Sequence, residues 1–194
     1  MKRIVIFASG SGSNAENLVH FFQDNNQIEV VQILTNNPRA KVLDRAKCLQ
    51  ISALSFNRTA FIKTDDVLNI VKLQRPDLIV LAGFLWKIPE AFINAFPDKI
   101  INLHPALLPK FGGKGMYGMH VHEAVVAHKE TETGITIHYV NAHYDEGATI
   151  FQAKCNVSPN DNASTVAQKI HQLEMEHLPK IVHQLLNKKT SIRK

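Results

Sequence analysis

The residues best suited to chemistry in this sequence are an amide and an imidazole, two positions apart at the end of an apolar run. Asn102 and His104 occur in the stretch INLHPALLPKF, and Pro105 ends the run. Side chains two apart in a β-strand point to the same face, so we expect both at one end of one strand. An imidazole exchanges protons near neutral pH, and an amide can donate to a developing oxyanion. The pair suits attack on a carbonyl group, although a structural histidine near a turn is the plainer alternative.

A carboxylate that could support His104 occurs in the polar stretch NAHYDEG, residues 141–147. Asp145 stands two residues before Gly147, which allows a tight turn. A carboxylate beside an imidazole raises the pKa of the ring and fixes its orientation. An ordinary turn aspartate is the alternative from this stretch alone.

The glycine-rich stretch GSGSN, residues 10–14, follows an apolar run and precedes a helical pattern. Free N–H groups at a helix N-terminus bind anions, so Gly12, Ser13 and Asn14 could hold a phosphate. A turn with Ser13 or Asn14 as N-cap is one alternative. A dinucleotide site is another, but the acid that NAD sites carry about 20 residues on is missing from ILTNNPR, and only Arg39 keeps an NADP site open.

Histidine is frequent here, but the pattern does not favour a metal site. His120 and His122 have a ligand spacing for a strand, yet MHVHEAVVAHK predicts the start of a helix, where the two side chains diverge. His138 and His143 are the other candidate ligands, and no cysteine or carboxylate pattern accompanies any of the four histidines. We therefore predict no metal.

Strands and helices must position these groups. In the first half, apolar runs alternate with helical spacing, which predicts a doubly wound, mostly parallel α/β sheet with ligands at the carboxyl ends of its strands. The predicted strands are residues 3–9, 28–36, 51–56, 78–84 and 99–103, and the predicted helices include residues 39–49 and 59–74. The second half predicts an antiparallel hairpin of residues 134–140 and 149–157. A long helix over residues 162–186 follows, and Pro179 is expected to kink it.

The composition predicts a globular protein that handles small anionic molecules. Among 194 residues, 45% are hydrophobic and 20% are charged, which is enough for a core. A net charge of +5 favours anionic ligands, but the charges are scattered, so we expect no nucleic acid partner. No run approaches the ~18 apolar residues of a membrane span, and the first apolar run is too short for a signal peptide. Cys48 and Cys155 form no metal pattern, and we interpret them as free, buried thiols in the cytoplasm.

Five segments occur in an order that resembles the folate-dependent formyltransferases, and their glycinamide ribonucleotide branch in particular. They are GSGSN, LAGFLWKI, INLHPALLPKF, GITIHYV and HYDEGATIFQAKCNV, and the resemblance extends from Arg3 to about Leu186. It implies a single formyltransferase domain over residues 1–194. Residues 1–100 would bind the phosphate, residues 101–186 would supply catalysis and folate binding, and residues 187–194 would be a basic tail. The implied reaction moves a formyl group from 10-formyltetrahydrofolate to the amine of 5-phosphoribosylglycinamide in purine biosynthesis, with no metal and with a monomer or a homodimer equally open.

The resemblance also implies roles for individual residues. The implied catalytic residues are Asn102, His104 and Asp145, and the implied acceptor site consists of Gly12, Ser13, Asn14 and Glu174. The implied folate pocket consists of Leu85, Trp86, Lys87, Ile88, Asn141, Ala142, His143 and Tyr144. His104 would either stabilise the oxyanion as imidazolium or move a proton to the leaving nitrogen.

The sequence departs from the family pattern at four points. Ala106 stands where a serine is common, Glu146 to Ala148 replace a Gly-Gly-Pro-like run, residues 112–122 are about five residues longer, and no folate-contacting arginine can be placed. The alternatives are a sister formyltransferase acting on tRNA, which would need a further C-terminal domain, and a formyltetrahydrofolate hydrolase, which would carry an added N-terminal domain. The remaining alternative is an NADP oxidoreductase.

Overall fold

Five parallel strands, extended at one edge by an antiparallel hairpin, form a single seven-stranded sheet in the computed structural model, which describes residues 1–188. The spatial order is β3-β2-β1-β4-β5-β6-β7. The strands are β1 (Lys2–Phe7), β2 (Ile28–Thr35), β3 (Ala53–Ser55), β4 (Leu78–Ala82), β5 (Ile100–His104), β6 (Glu132–Tyr139) and β7 (Thr149–Asn156). The predicted doubly wound sheet with an added hairpin is confirmed.

Helices cover both faces of this sheet. They are α1 (Ser13–Phe22), α2 (Val42–Cys48), α3 (Asp66–Gln74), α4 (Glu90–Ala95), α5 (Met119–Ala127) and α6 (Ala163–Asn187), with a π-helix at Thr59–Lys63. Within the described residues 1–188, no helix combines the length and the apolar character needed to cross a membrane. Of the predicted basic tail, residues 189–194 lie outside the described part of the chain.

The central strands are apolar on both sides because each side faces a separate core. On β4, Leu78 and Val80 pack into the core beneath α1, α5 and α6. Their neighbours Ile79 and Leu81 pack on the opposite side, against the aromatic side chains of the π-helix and α4. Burial of all five β4 residues is the reason that this run shows no alternation in the sequence.

Two helices differ from their predicted bounds. The helix predicted for residues 39–49 is shorter, as α2. The one predicted for residues 59–74 is divided, because Thr64 adopts an extended conformation and its hydroxyl donates to Asp66 at 2.6 Å. The six-residue α4, which follows Pro89, was not predicted at all.

The long C-terminal helix begins as its sequence indicates. Asn162 is the N-cap, and a reciprocal pair of hydrogen bonds with Thr165 completes a capping box. The helix continues past Pro179, which is buried. At α1, by contrast, the N-cap is Gly12 and no side chain caps the helix, so the alternative in which Ser13 or Asn14 caps it is wrong.

The two cysteines are free, but the prediction that both are buried is wrong. Cys48, the last residue of α2, is exposed, and Cys155 is half-buried on the outer strand β7.

The chain reverses its direction across the sheet between β1 and β4. β2 and β3 lie on one side of β1, and the chain then returns to place β4 on the other side. In open α/β sheets, the crevice at such a switch point, outside the carboxyl ends of the strands, is where ligands bind.

Candidate active site

A cavity of about 670 Å³ opens at this switch point. This volume lies within the usual range for small-molecule sites. The lining comes from the segments that follow β1, β4 and β5, from residues 113–118, from the loop between β6 and β7, and from α6. The cavity therefore gathers segments from both halves of the chain.

Strand β5 supplies Asn102 and His104 to the cavity from one face, as the two-residue period predicts. Asp145 lies between them. Its Oδ1 accepts a hydrogen bond from Asn102 Nδ2 at 3.3 Å, and its Oδ2 lies 3.6 Å from Nδ1 of His104. The structure thus brings these three side chains together.

Backbone geometry fixes the position of Asp145. The residue has a φ of 55°, and the Gly113 N–H donates to its Oδ2 at 2.9 Å. Gly147 lies so close to the end of β6 that a Cβ there would stand 1.6 Å from the carbonyl oxygen of Tyr139. Any residue with a Cβ would clash at this point, so only glycine fits. The tight turn that the sequence predicts is present, and it requires Gly147.

His104 is buried, with 3% of its surface exposed. Its Nε2 lies 2.8 Å from the carbonyl oxygen of Phe111, so Nε2–H donates there and Nδ1 faces Asp145. Burial lowers the pKa of His104, and this effect exceeds the opposing influence of the negative Asp145 and of the Phe111 carbonyl. The ring is therefore neutral at neutral pH, with a lone pair on Nδ1.

Asp145 is ionised under the same conditions. Burial raises its pKa, but the hydrogen-bonding contact with His138, the neighbouring His104 imidazole and the Gly113 N–H together outweigh burial, so the pKa lies below its usual value. An ionised Asp145 would stabilise positive charge on His104 once that ring takes up a proton.

The glycine-rich stretch forms the opposite wall. Gly12 has a φ of 75°, and a Cβ there would stand 2.3 Å from a methyl group of Val42. The first N–H groups of α1 have no partner within the helix and are available to an anion. Asn14 is buried beside them, and its Nδ2 donates to Glu174 Oε2 at 2.9 Å.

Glu174 contributes to this wall a carboxylate whose charged form is disfavoured by burial. Burial raises its pKa, and the contacts with Asn14 and His171 offset this only in part. A buried carboxylate held in this way gains from a hydrogen-bond donor on a ligand.

Comparison with known proteins agrees with this geometry. The formyl transferase family model matches residues 2–182. The chain belongs to the formyl transferase family. The phosphoribosylglycinamide formyltransferase of Bacillus subtilis is 34% identical, over 96% of this chain and 95% of that protein. The chloroplastic enzyme of that name from Arabidopsis thaliana is 35% identical over 91% of this chain, which spans 62% of that longer protein.

Solved structures of formyl transferase family members confirm the fold. The phosphoribosylglycinamide formyltransferase of Bacillus halodurans superimposes with a TM-score of 0.86 at 33% identity, over 96% of both chains. The glycinamide ribonucleotide transformylase 1 of Geobacillus kaustophilus superimposes with a TM-score of 0.87 at 31% identity, over 96% of this chain and 99% of that one. The resemblance read from the sequence is thus confirmed.

Nearly all the residues predicted for the formyl transferase site line the cavity. The exception is Ala142. The His143 N–H donates to Asn141 Oδ1 at 2.9 Å, so these two residues close a tight turn around Ala142. The remaining predicted folate residues come from two loops that approach each other, since Lys87 Nζ lies 5.7 Å from the ring centre of Tyr144.

Sequence reasoning missed three parts of this cavity. Residues 113–118, whose role was left open, form one wall, and His122 of α5 and His138 of β6 are buried beside it. The helix predicted for MHVHEAVVAHK is confirmed, and it separates the exposed His120 from the buried His122. Over residues 1–188, no three His, Cys, Asp or Glu side chains are grouped to hold a metal ion.

Proposed function

We propose that this protein transfers the formyl group of 10-formyltetrahydrofolate to the amine of 5-phosphoribosylglycinamide, a step of purine biosynthesis. The observation that carries the proposal is the meeting of Asn102, His104 and Asp145 at one end of a cavity whose opposite wall is a helix N-terminus. The family match and the names of the relatives support the same reaction. A cytoplasmic location and the oligomeric state stay predictions.

The acceptor binds between α1 and α6. The backbone N–H groups of Ser13 and Asn14 hold its phosphate, helped by the positive end of the helix dipole. Glu174, whose pKa is raised by burial, accepts hydrogen bonds from the ribose hydroxyls or from the amine. This arrangement leaves the acceptor amine pointing along the cavity toward β5.

The formyl donor lies between the loops that contain Leu85–Ile88 and Asn141–Tyr144. Its pocket has apolar walls from Leu85 and Ile88 and a cationic side chain from Lys87, and these suit a flat heterocycle with a carboxylate tail. In this proposal, the formyl carbon of the bound donor lies near Asn102.

The reaction forms a bond from the acceptor nitrogen to the formyl carbon and breaks the bond from that carbon to the donor nitrogen. Asn102 donates a hydrogen bond to the formyl oxygen as it becomes negative. His104, neutral and with Nδ1 free, accepts the proton that the amine loses and returns it to the leaving nitrogen. Asp145 stabilises the imidazolium in between.

A formyl-transfer assay with and without the phosphorylated acceptor tests the proposal. We expect donor consumption only when 5-phosphoribosylglycinamide is present, together with formylated acceptor in equal amount. Donor consumption without acceptor would show a hydrolase instead. Formylation of an initiator tRNA in preference to the small acceptor would show a sister transferase.

A further inference from the structure

The wall formed by residues 113–118 contains one charged side chain, that of Lys114. This lysine belongs to the segment that is longer than the family pattern, and it lines the same cavity as Gly12 and Ser13. We propose that Lys114 is a binding residue for the phosphate of the acceptor and that its ammonium group faces the N-terminus of α1 across the bound phosphate. This inference rests on the proposed function, because it names the charge that recognises that phosphate.

Residues 113–118 connect two elements on the face of the sheet that carries α1 and α6. Phe111, just before the segment, packs against the core beneath these helices, and Val125 of α5, the helix after the segment, belongs to that core. Helix α5 also packs against α6. Ile88 of the proposed folate pocket belongs instead to the core on the opposite face. The position of Lys114 therefore favours contact with the acceptor over contact with the donor.

A phosphate in this cavity needs a full positive charge nearby. A phosphate monoester has roughly two negative charges near neutral pH, and the ionised Asp145 lines the same cavity. The N-terminus of α1 offers only about half an elementary charge. His171 also lines the cavity, but its Nδ1 lies 3.6 Å from the Glu174 carboxylate, which would balance a positive charge on the ring. A lysine ammonium group supplies the missing charge as a compact point charge.

The other cationic side chains of this region already have partners. Arg45 donates from Nε to the Ser11 carbonyl oxygen at 2.9 Å and forms a salt bridge with Glu16. Lys87 lies over an aromatic ring in the proposed folate pocket. Lys114, by contrast, forms neither a salt bridge nor a hydrogen bond with any residue in the part of the chain that the structure describes. Its charge is therefore available to a ligand.

A second feature at the start of α1 also points to a ligand. Asn14 is 9% exposed and lines the cavity. Its Nδ2 donates to Glu174, but its Oδ1 is buried and has no hydrogen-bond partner among residues 1–188. A buried oxygen without a donor costs free energy, so a ligand with a hydroxyl or amine group completes this wall. A sugar phosphate brings that donor together with the anion for Lys114.

Calorimetric binding of ribose 5-phosphate tests the inference without formyl transfer. We expect Lys114→Met to weaken the affinity by about 10–100-fold, the usual effect of losing one hydrogen bond to a charged group. Lys114→Arg should keep most of the affinity, because it keeps the charge. The difference between wild type and Lys114→Met should shrink as the salt concentration rises, since salt screens the attraction.

Lys72→Met is the matched control for the change in net charge. Lys72 is an exposed lysine of α3 outside the lining of the cavity, so its loss should leave the affinity for ribose 5-phosphate unchanged. Equal affinities of the wild type and Lys114→Met would overturn the proposal. An equal loss in Lys72→Met would also overturn it, because the effect would then come from net charge alone. No binding of ribose 5-phosphate to the wild type would have the same consequence.

Steady-state kinetics tests the consequence for the reaction. In Lys114→Met, the KM for 5-phosphoribosylglycinamide should rise while kcat and the KM for the formyl donor stay unchanged, because the lost contact is the same in the ground state and the transition state. A rise in the KM for the donor alone would place Lys114 in the folate site and overturn the proposal. If the wild-type protein transfers no formyl group, the proposed function fails, and the calorimetric comparison still decides whether Lys114 binds the phosphate.

Discussion

Nδ1 of His104 lies 3.6 Å from Oδ2 of Asp145 in a site where the ring is almost completely buried. In the neutral ring Nδ1 carries no proton and makes no hydrogen bond to this carboxylate, yet the two atoms are close enough for strong attraction once the ring is charged. The pair is thus arranged to take up a proton during the reaction rather than to share one at rest.

This arrangement predicts the pH dependence of the reaction. Burial lowers the pKa of His104, and a base must be unprotonated, so kcat/KM should fall in acid with a midpoint below the ordinary histidine pKa of 6.5. Asp145→Asn should move this limb to still lower pH, because the Asp145 charge is the largest influence that raises the pKa of His104. It should also lower kcat by roughly 10²–10⁴-fold.

Steady-state pH profiles of the wild type and the variant, with the same two substrates, check this prediction. His104→Asn provides the control, since it should remove the limb altogether. A rate that rises as the pH falls would instead mean that His104 acts as an imidazolium from the start.

Asn102→Ala should lower kcat by about 10²–10³-fold, the usual effect of losing one donor to an oxyanion. The KM for the acceptor should change little, because Asn102 contacts neither α1 nor Glu174. Stopped assays with calorimetric binding of the acceptor measure both quantities. Asn26→Ala, on the exposed turn before β2, is the matched control. Normal turnover in the Asn102 variant would remove this residue from the mechanism.

Glu174→Gln should stabilise the fold at neutral pH while weakening acceptor binding. Because burial raises the pKa of Glu174, the folded state binds its proton more tightly than the unfolded state does. Stability therefore falls as the pH rises from the ordinary glutamate pKa through the raised value, and at neutral pH the ionised carboxylate destabilises the fold. Glutamine keeps an acceptor for Asn14 without this charge.

Thermal unfolding at neutral pH and near pH ~4 measures the effect, and each kcal/mol corresponds to about 2–4 °C in Tm. The increase in Tm of Glu174→Gln over the wild type should be smaller in acid, where the wild-type carboxyl is protonated. Glu176→Gln on the same helix is the control, since this residue is exposed and its pKa is lowered by its hydrogen bond with Lys180. A gain at Glu176 equal to that at Glu174 would contradict the explanation.

Gly147→Ala should destabilise the fold by roughly 1–3 kcal/mol and reduce kcat. A methyl group 1.6 Å from the Tyr139 carbonyl oxygen forces the loop to move, and Asp145 moves with it. Denaturant unfolding and kinetics check the two effects. Gly10→Ala is the control for stability, because a Cβ there meets open space. An unchanged free energy of unfolding in Gly147→Ala would show that the loop adapts without cost.

The position of Asn102 and His104 could be predicted because both depend on short-range rules. The strand period gives their common face, and the sheet rule places them where ligands bind. The meeting with Asp145 depends instead on the length and turn of the loop after β6, and it came to the prediction through the family resemblance. His138 was missed because the register between β5 and β6, which sets it opposite Asn102, cannot be read from either strand alone.

Two further differences between the prediction and the structure lie in the divided helix around Thr64 and in residues 113–118. The π-helix ends where Thr64 adopts an extended conformation and its hydroxyl pairs with the Asp66 carboxylate, and no residue type in this segment indicates that break. The contribution of residues 113–118 to the cavity depends on the path of an irregular segment, for which the sequence has no period.

The turn between Phe111 and Gly113 contacts His104 through a carbonyl oxygen and Asp145 through an N–H. Both contacts belong to the main chain. The side chain of Phe111 takes part in neither contact and packs instead against the core and the ring of His128. Deleting or adding one residue in this turn would uncouple the imidazole from the carboxylate. Selection on this short segment should therefore constrain its length more strictly than the identity of the Phe111 side chain.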